Sequence, residues 1–198
     1  MNCIRALLFV AAAASSCGAE AQHSGAAQRP PTSPPPEARQ FDFLIGQWEL
    51  DVHPKVNSLA AMIHGAPQLT GTWKAWRALD GFGIDDETRI VDSSGNPLSL
   101  SHAMRVYGGV EGHWTVTSID VYRGRVAESS GQLQGSDIVL SGKGADPEGK
   151  PLLTRARFSA IKADSFHLQQ DRSADDGATW DEGVLVIDAR RVAATAPR

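Results

Sequence analysis

From residue 41 onward, apolar and polar residues alternate in short runs, without the longer period of an amphipathic helix. Residues 47–53 show the pattern first, because Trp48, Leu50 and Val52 alternate there with polar residues. A period of two is typical of a strand with one buried face. We predict strands at 47–53, 69–79, 82–91, 99–107, 113–119, 122–133, 136–142, 152–161, 164–171 and 181–192.

Turn-forming residues separate these predicted strands. Asp80-Gly81, Gly108-Gly109 and Gln134-Gly135 are examples, in which glycine allows the backbone conformations of tight turns. About ten short strands with tight turns predict an all-β fold, an antiparallel up-and-down meander. Closing the meander into a barrel removes exposed sheet edges, whose unpaired amides promote aggregation. We therefore expect one closed barrel over residues 41–192, followed by a short tail at 193–198.

Two segments interrupt the strand pattern and are predicted as short helices. Residues 37–44 precede the first strand and would close one end of the barrel. Residues 57–64 follow the first strand, and in a helix Leu59, Met62 and Ile63 would form one apolar stripe. A helix this short is unstable alone, so we expect it to pack over the barrel mouth as a lid. A loop without helical structure also fits residues 57–64.

The N-terminal residues have the composition of an export signal. Arg5 precedes an apolar run at 6–14, and Ala19-Glu20-Ala21 has the form of a signal-peptidase site. The run is about half the length that a membrane-spanning helix needs. We therefore expect residues 1–21 to be a cleaved signal peptide.

A second processing route competes with simple cleavage. Ala14-Ser15-Ser16-Cys17 resembles a lipobox, in which Cys17 would be cut and lipidated. The following residues, 22–40, are rich in proline and are predicted to be a flexible linker. We expect an exported protein of the periplasm or cell envelope, attached to a membrane only if Cys17 carries a lipid.

Charge and cysteine content exclude several function classes. The chain of 198 residues has 19 Lys and Arg against 23 Asp and Glu, which excludes a general nucleic-acid binder. Both cysteines, Cys3 and Cys17, lie in the signal segment, so the cleaved protein has neither a disulfide nor a cysteine nucleophile. The histidines are scattered without the spacing of a metal site. We expect no metal and no cofactor.

The start of the predicted barrel resembles a known family. Residues 41–48, which end in Gly46-Gln47-Trp48, resemble the opening of the DUF1579-type family of uncharacterised bacterial proteins. Residues 104–107 and 113–116 resemble the middle of that family's domain, and residues 175–180 resemble its ending. The Gly46-x-Trp48 motif is shared with the wider lipocalin-like, or calycin, barrels. The resemblance covers residues 41–192. It implies a barrel with an internal cavity and no settled activity, and it implies that Trp48 packs against Arg190 or Arg191.

A second motif, near the end of the predicted barrel, matches a known turn sequence. Ser173-x-Asp175-x-Gly177-x-Thr179-Trp180 matches the Asp-box of sialidase-type propellers. A propeller needs several copies of its repeat, and this chain has one. We interpret the motif as a hairpin staple. Ser173 and Asp175 accept backbone donors, Gly177 allows a positive φ, and Trp180 packs at the base of the turn.

Candidate ligand-binding residues are those expected to point into the barrel. His102 and Met104 share the more apolar face of their strand. Asp86 alternates with apolar neighbours on its own strand. Trp73 and Trp76 fall on opposite faces, so that one points inward, and we take Trp73 as the candidate.

Three functions remain open. The favoured one is binding of a small apolar or amphipathic ligand in the lumen. The second is a structural or assembly protein whose barrel is filled by its own side chains. The third, which we disfavour because no catalytic motif is present, is an enzyme that uses His102 or Asp86 as a general base. A cavity on the order of several hundred cubic ångströms would favour ligand binding. The sequence fixes neither the ligand nor the oligomeric state.

Overall fold

The computed structural model describes residues 32–56, 67–146 and 149–193. The chain divides into two units, Met1–Pro31 and Thr32–Arg198, and every described residue belongs to the second. The predicted signal peptide, the first part of the predicted linker and the predicted lid helix with Leu59, Met62 and Ile63 lie outside the described residues.

The described residues form a closed barrel of ten antiparallel strands, which confirms the predicted all-β meander. Each strand pairs with the next one along the chain, and the last pairs with the first. The strands are β1 (Gly46–Pro54), β2 (Leu69–Ala78), β3 (Gly83–Asp92), β4 (Pro97–Gly108), β5 (His113–Asp120), β6 (Arg125–Gln134), β7 (Asp137–Ala145), β8 (Pro151–Ser159), β9 (Ser165–Ser173) and β10 (Asp181–Arg191).

Alternation along each strand separates the lumen from the outer face. In β1, Trp48, Leu50 and Val52 are buried, and the residues between them are exposed or half-buried. Trp48 lies opposite Trp73 of β2 on one side and opposite Arg191 of β10 on the other. The period of two in the sequence therefore reports the inward face correctly for β1.

One end of the barrel is closed by residues 36–45, which we call the plug. They form two 3₁₀-helices, Pro36–Arg39 and Asp42–Leu44, instead of the single helix expected over 37–44. The helices are short because the chain leaves helical geometry at Phe41, which has φ −93° and ψ 9°. The first helix falls within the segment assigned to the linker from the sequence, yet it packs on the barrel. A third 3₁₀-helix, Leu79–Gly81, joins β2 to β3.

The plug is fixed by one aromatic ring and two polar contacts. Phe41 is fully buried, and its ring centroid lies 4.8 Å from that of Trp114, edge to face. The indole N–H of Trp114 donates to the side-chain oxygen of Gln40 at 2.9 Å. Arg77 of β2 donates to the Ala38 carbonyl at 3.0 Å. Burial of these rings closes the bottom of the lumen.

Arg191 joins the plug to the two strands at the barrel seam. Its guanidinium carbon lies 4.1 Å from the centroid of the Trp48 ring. It donates to the carbonyls of Ile45 at 2.7 Å, Phe43 at 2.8 Å and Ala163 at 2.7 Å. Of the two arginines considered from the sequence, Arg191 therefore stacks on Trp48. Arg190 is exposed on the outer face, and its guanidinium lies 3.5 Å from Asp51.

The glycine of the Gly46-x-Trp48 motif makes room for this contact. Gly46 has φ +126°, and a Cβ placed there would lie 2.5 Å from a terminal nitrogen of Arg191. Trp48 in turn donates its indole N–H to the Leu44 carbonyl at 2.7 Å. A side chain at residue 46 would displace the guanidinium, so the motif is explained by packing at the seam.

The Asp-box residues form the turn between β9 and β10. The Ser173 hydroxyl accepts the Gly177 N–H at 2.8 Å, and Asp175 accepts the Thr179 N–H at 2.9 Å and the Thr179 hydroxyl at 2.6 Å. The Ser173 hydroxyl also donates to Asp175 at 2.7 Å, and the hydrogen bonds that Asp175 accepts from Thr179 and Ser173 lower the pKa of its carboxyl to about 2. Trp180 lies under the guanidinium of Arg155, at 4.5 Å from ring centroid to Cζ.

Candidate functional site

The barrel encloses a cavity of about 600 Å³ on the far side of the plug's aromatic rings. Because β1 begins at the plug, odd-numbered strands run away from it and end at the mouth. The described lining has three parts: an aromatic floor near the plug, a wall with apolar and hydroxyl groups, and an arginine-rich rim at the mouth.

The floor is built around a buried ion pair. Asp86 is 2% exposed and Arg105 is 5% exposed. Arg105 donates from Nε to Asp86 Oδ2 at 2.7 Å, and Trp73 donates its indole N–H to Asp86 Oδ1 at 2.9 Å. The guanidinium carbon of Arg105 also lies 5.2 Å from the ring centroid of Phe41 and 5.8 Å from that of Phe158. The floor therefore combines flat aromatic faces with charges that neutralise each other.

Strand register brings these floor residues together. Asp86 lies opposite Ala75 of β2, and Thr88 lies opposite Trp73, so Trp73 and Asp86 are diagonal neighbours on the inward face. Arg105 of β4 lies opposite Ile84, two residues before Asp86. Such diagonal neighbours are within reach of long side chains. The structure therefore places two predicted site residues, Trp73 and Asp86, together in the lumen lining.

The predicted inward orientation of His102 and Met104 is wrong. In β4 the lumen is lined by Ser99, Ser101, Ala103 and Arg105, which occupy the alternate positions. The more apolar face of β4 therefore points outward, and the strand's small and polar side chains line this part of the lumen.

His102 lies instead in a small cluster on the outer face. Its Nε2 is 3.9 Å from Asp85 Oδ2, and its ring centroid is 6.0 Å from that of Trp76. Met104 is 40% exposed on the same face. Neither residue lines the lumen.

The wall carries hydroxyl groups that the sequence did not single out. They belong to β4, β5 and β6, and no hydrogen bond within the described part of the chain engages them: Ser99, Ser101, Ser118 and Ser129. The same lumen is also lined by the apolar side chains of Ala103, Val116, Leu140, Ala156 and Leu168. A wall that mixes free hydroxyls with apolar side chains suits a ligand with both polar and apolar parts.

The rim carries more positive than negative charge. Arg123 forms an ion pair with Asp120. Burial raises the pKa of the Asp120 carboxyl, but the hydrogen bonds from Arg123 outweigh that effect, so the pKa is lowered. Arg125 of β6 and Arg172 of β9 also line the cavity, and no carboxylate in the described ranges forms an ion pair with either of them. In all, four arginines and two aspartates line the described cavity.

Sequence reasoning did not single out the rim arginines, because a single strand pattern does not show which arginines meet at the mouth. The one available signal was periodicity: Arg125 and Ser129 lie four residues apart in β6, and Arg172 continues the buried positions Phe166 and Leu168 of β9. The β6 series is not apolar enough to mark the inward face by hydropathy alone, and the β9 series becomes polar at Gln170, before it reaches Arg172.

Among the described residues, no helix has the length and hydropathy required for crossing a bilayer. In the same residues, no group of three or more His, Cys, Asp or Glu side chains is placed to hold a metal ion.

Solved structures share the barrel fold. The crystal structure of Rv2717c from M. tuberculosis matches with a TM-score of 0.58 at 14% identity, covering 81% of this chain and 99% of that chain. The barrel EF1p2_mFAP2b bound to DFHBI matches with a TM-score of 0.40 at 12% identity, covering 79% and 99%. The redesigned barrel mFAP0 bound to DFHBI matches with a TM-score of 0.40 at 9% identity, covering 75% and 99%. The likeness to Rv2717c concerns the fold alone.

No protein-family model and no curated protein matches the sequence. The resemblance to the DUF1579-type family therefore rests on the motifs quoted above.

Proposed function

We propose that this protein binds one small amphipathic molecule inside its barrel. The observation that carries the proposal is the cavity of about 600 Å³, with its aromatic floor and hydroxyl-bearing wall. Its volume falls within the range of roughly 300–1,000 Å³ that ligand sites occupy in proteins. Of the two ligand types considered from the sequence, the polar wall favours an amphipathic ligand over a purely apolar one.

The alternative functions have less support. A structural protein with a filled barrel would not need a cavity of this size. An enzyme using His102 in the lumen lacks the geometry, since His102 lies on the outer face. Asp86 accepts hydrogen bonds on both carboxylate oxygens, from Trp73 and Arg105. In this arrangement both oxygens are committed to structural donors, which makes Asp86 a poor general base.

The proposal is tested with a fluorescent apolar amine, N-phenyl-1-naphthylamine, whose emission rises in apolar surroundings. We expect saturable binding of one probe per chain. Ala156→Trp places a large ring in the cavity and should weaken binding by at least about tenfold, equivalent to about 1.4 kcal/mol. Thr72→Trp adds the same side chain at an exposed position of β2 and should leave the affinity unchanged.

Circular dichroism and thermal melting establish that each variant folds. If Ala156→Trp does not fold, Ser118→Phe fills the same cavity from the opposite wall. Absence of probe binding to the parent, or equal binding by parent and a folded lumen-filling variant, would overturn the proposal.

We also propose that the protein is exported, on the strength of the apolar run and the Ala19-Glu20-Ala21 site in the sequence. Mass spectrometry of the protein isolated from its own cells should find a mature chain that begins at Gln22, or a lipid on Cys17. An intact Met1 on the mature protein would contradict export by this route.

A further inference from the structure

We propose that the ligand of this lumen is an anion, and that Arg125 and Arg172 at the rim hold its charged group. This inference rests on the proposed function and adds the chemical class of the ligand. It also fixes an orientation: the apolar part of the ligand lies on the floor, and the anionic group lies at the mouth.

The charges of the floor neutralise each other, so the floor does not attract an anion. Arg105 is held by Asp86 through a 2.7 Å hydrogen bond, and its guanidinium also lies near the rings of Phe41, Trp73 and Phe158. Placing an anion beside this pair would set it close to the Asp86 carboxylate, and the repulsion would offset the attraction of Arg105. The flat aromatic faces suit an apolar group instead.

The rim has two positive charges that no described carboxylate neutralises. Asp120 is occupied by Arg123, which donates to it from the side chain and from the backbone N–H. Arg125 and Arg172 reach the same cavity from β6 and β9. Guanidinium groups bind carboxylate, sulfonate and phosphate groups through paired hydrogen bonds. These two residues therefore give the mouth a preference for an anion, in a protein whose formal net charge is −4.

The hydroxyl wall supports the same orientation. Ser118 lies on β5 two residues before the rim residue Asp120, and Ser129 lies on β6 four residues beyond Arg125, so both hydroxyls are deeper in the barrel than the rim. There they can donate to the oxygens of an anionic group or to linker atoms below it. The apolar side chains of Leu140, Ala156 and Leu168 line the same lumen. The lining thus grades from aromatic to hydroxyl to cationic along the barrel axis.

A matched pair of probes tests the inference. 8-Anilinonaphthalene-1-sulfonate carries the same linked aromatic rings as N-phenyl-1-naphthylamine and adds one sulfonate. We expect the sulfonate probe to bind about tenfold more tightly than the neutral probe, given two partly exposed guanidinium contacts. Raising the salt concentration should remove most of this advantage, because exposed charges are screened, and should leave the neutral probe unaffected.

The Arg125→Gln and Arg172→Gln double variant should lose the roughly tenfold advantage of the sulfonate probe and retain its affinity for the neutral probe. The control is the Arg89→Gln and Arg190→Gln double variant, which removes the same charge from exposed positions on the outer face. It should behave as the parent. Ala156→Trp should weaken both probes, which assigns the binding to the lumen.

The outcomes separate the two proposals. If neither probe binds to the parent, the proposed lumen function fails. If the neutral probe binds in the lumen while the sulfonate probe gains nothing from Arg125 and Arg172, the lumen function stands and the anion inference is overturned. Equal loss of sulfonate binding in the outer-face control would also overturn it, because the effect would then come from net charge.

Discussion

Replacement of Arg191 by alanine should strongly destabilise the barrel at its seam. The change removes three hydrogen bonds to backbone carbonyls, those of Phe43, Ile45 and Ala163, and the stacking on Trp48. Allowing about 1 kcal/mol for each partly exposed hydrogen bond and about 1 kcal/mol for the cation–π contact gives a loss of about 4 kcal/mol. That is a large part of the total stability of a typical domain, about 5–15 kcal/mol.

Urea unfolding followed by tryptophan fluorescence measures this loss as a lower midpoint at unchanged slope. Arg190→Ala is the matched control, because the neighbouring residue is exposed and has only a 3.5 Å contact with Asp51; we expect a change within about 0.5 kcal/mol. Gly46→Ala should reproduce part of the Arg191 effect, since a Cβ there would meet the guanidinium. If Arg191→Ala costs no more than Arg190→Ala, the description of the seam is refuted.

Two further predictions concern the floor and the Asp-box turn. Asp86→Asn should lower the free energy of unfolding by about 3–5 kcal/mol, because it leaves the buried charge of Arg105 without its partner. Asp86→Leu combined with Arg105→Met should be more stable than this single variant. Urea unfolding measures both, and a double variant no more stable than Asp86→Asn would contradict the reasoning. Hydrogen bonds in the fold lower the pKa of Asp175 to about 2, below the value of about 3.9 in the unfolded chain. The carboxylate therefore stabilises the fold fully above about pH 3.9, and this stabilisation is lost as the pH falls through the folded pKa. The stability gap between the parent and Asp175→Ala should therefore narrow towards pH 2, and a gap independent of pH would show that the ionised carboxylate is not what stabilises the turn.

The number and order of the strands could be predicted from the sequence because each strand is a local pattern. Trp48, Leu50 and Val52 alternate with polar residues, and turn residues such as Gly135 mark the ends of strands. Burial against the plug and the aromatic core makes hydropathy a reliable guide to the inward face of β1.

The orientation of β4 could not be predicted in the same way. Its inward positions include Ser99, Ser101 and Arg105, so hydropathy predicts the wrong face and wrongly puts His102 and Met104 in the lumen. Only the pairing with β3 and β5 fixes the face, and the residues of β4 alone do not reveal the register of that pairing. The register between strands decides which side chains meet in the candidate site, and the hydropathy pattern of one strand does not contain that register.

The choice between Arg190 and Arg191 was also beyond the sequence. Neighbouring residues of a strand point to opposite faces, so one residue of register decides which guanidinium reaches Trp48. The structure sets that register by pairing Trp48 with Arg191 across the β1–β10 ladder.

The seam between β1 and β10 has a consequence for the order in which the protein folds. Every other strand pairing joins neighbours in the chain, whereas the hydrogen bonds of Arg191 join residues 146 and 148 positions apart. Closing a loop of that length costs about 2 kcal/mol more in chain entropy than closing a hairpin. During synthesis, the growing chain can form successive hairpins but keeps two unpaired sheet edges until residue 191 is available. A chain that ends before β10 would keep those edges permanently, and edge-to-edge association with other chains would become its main alternative to closure.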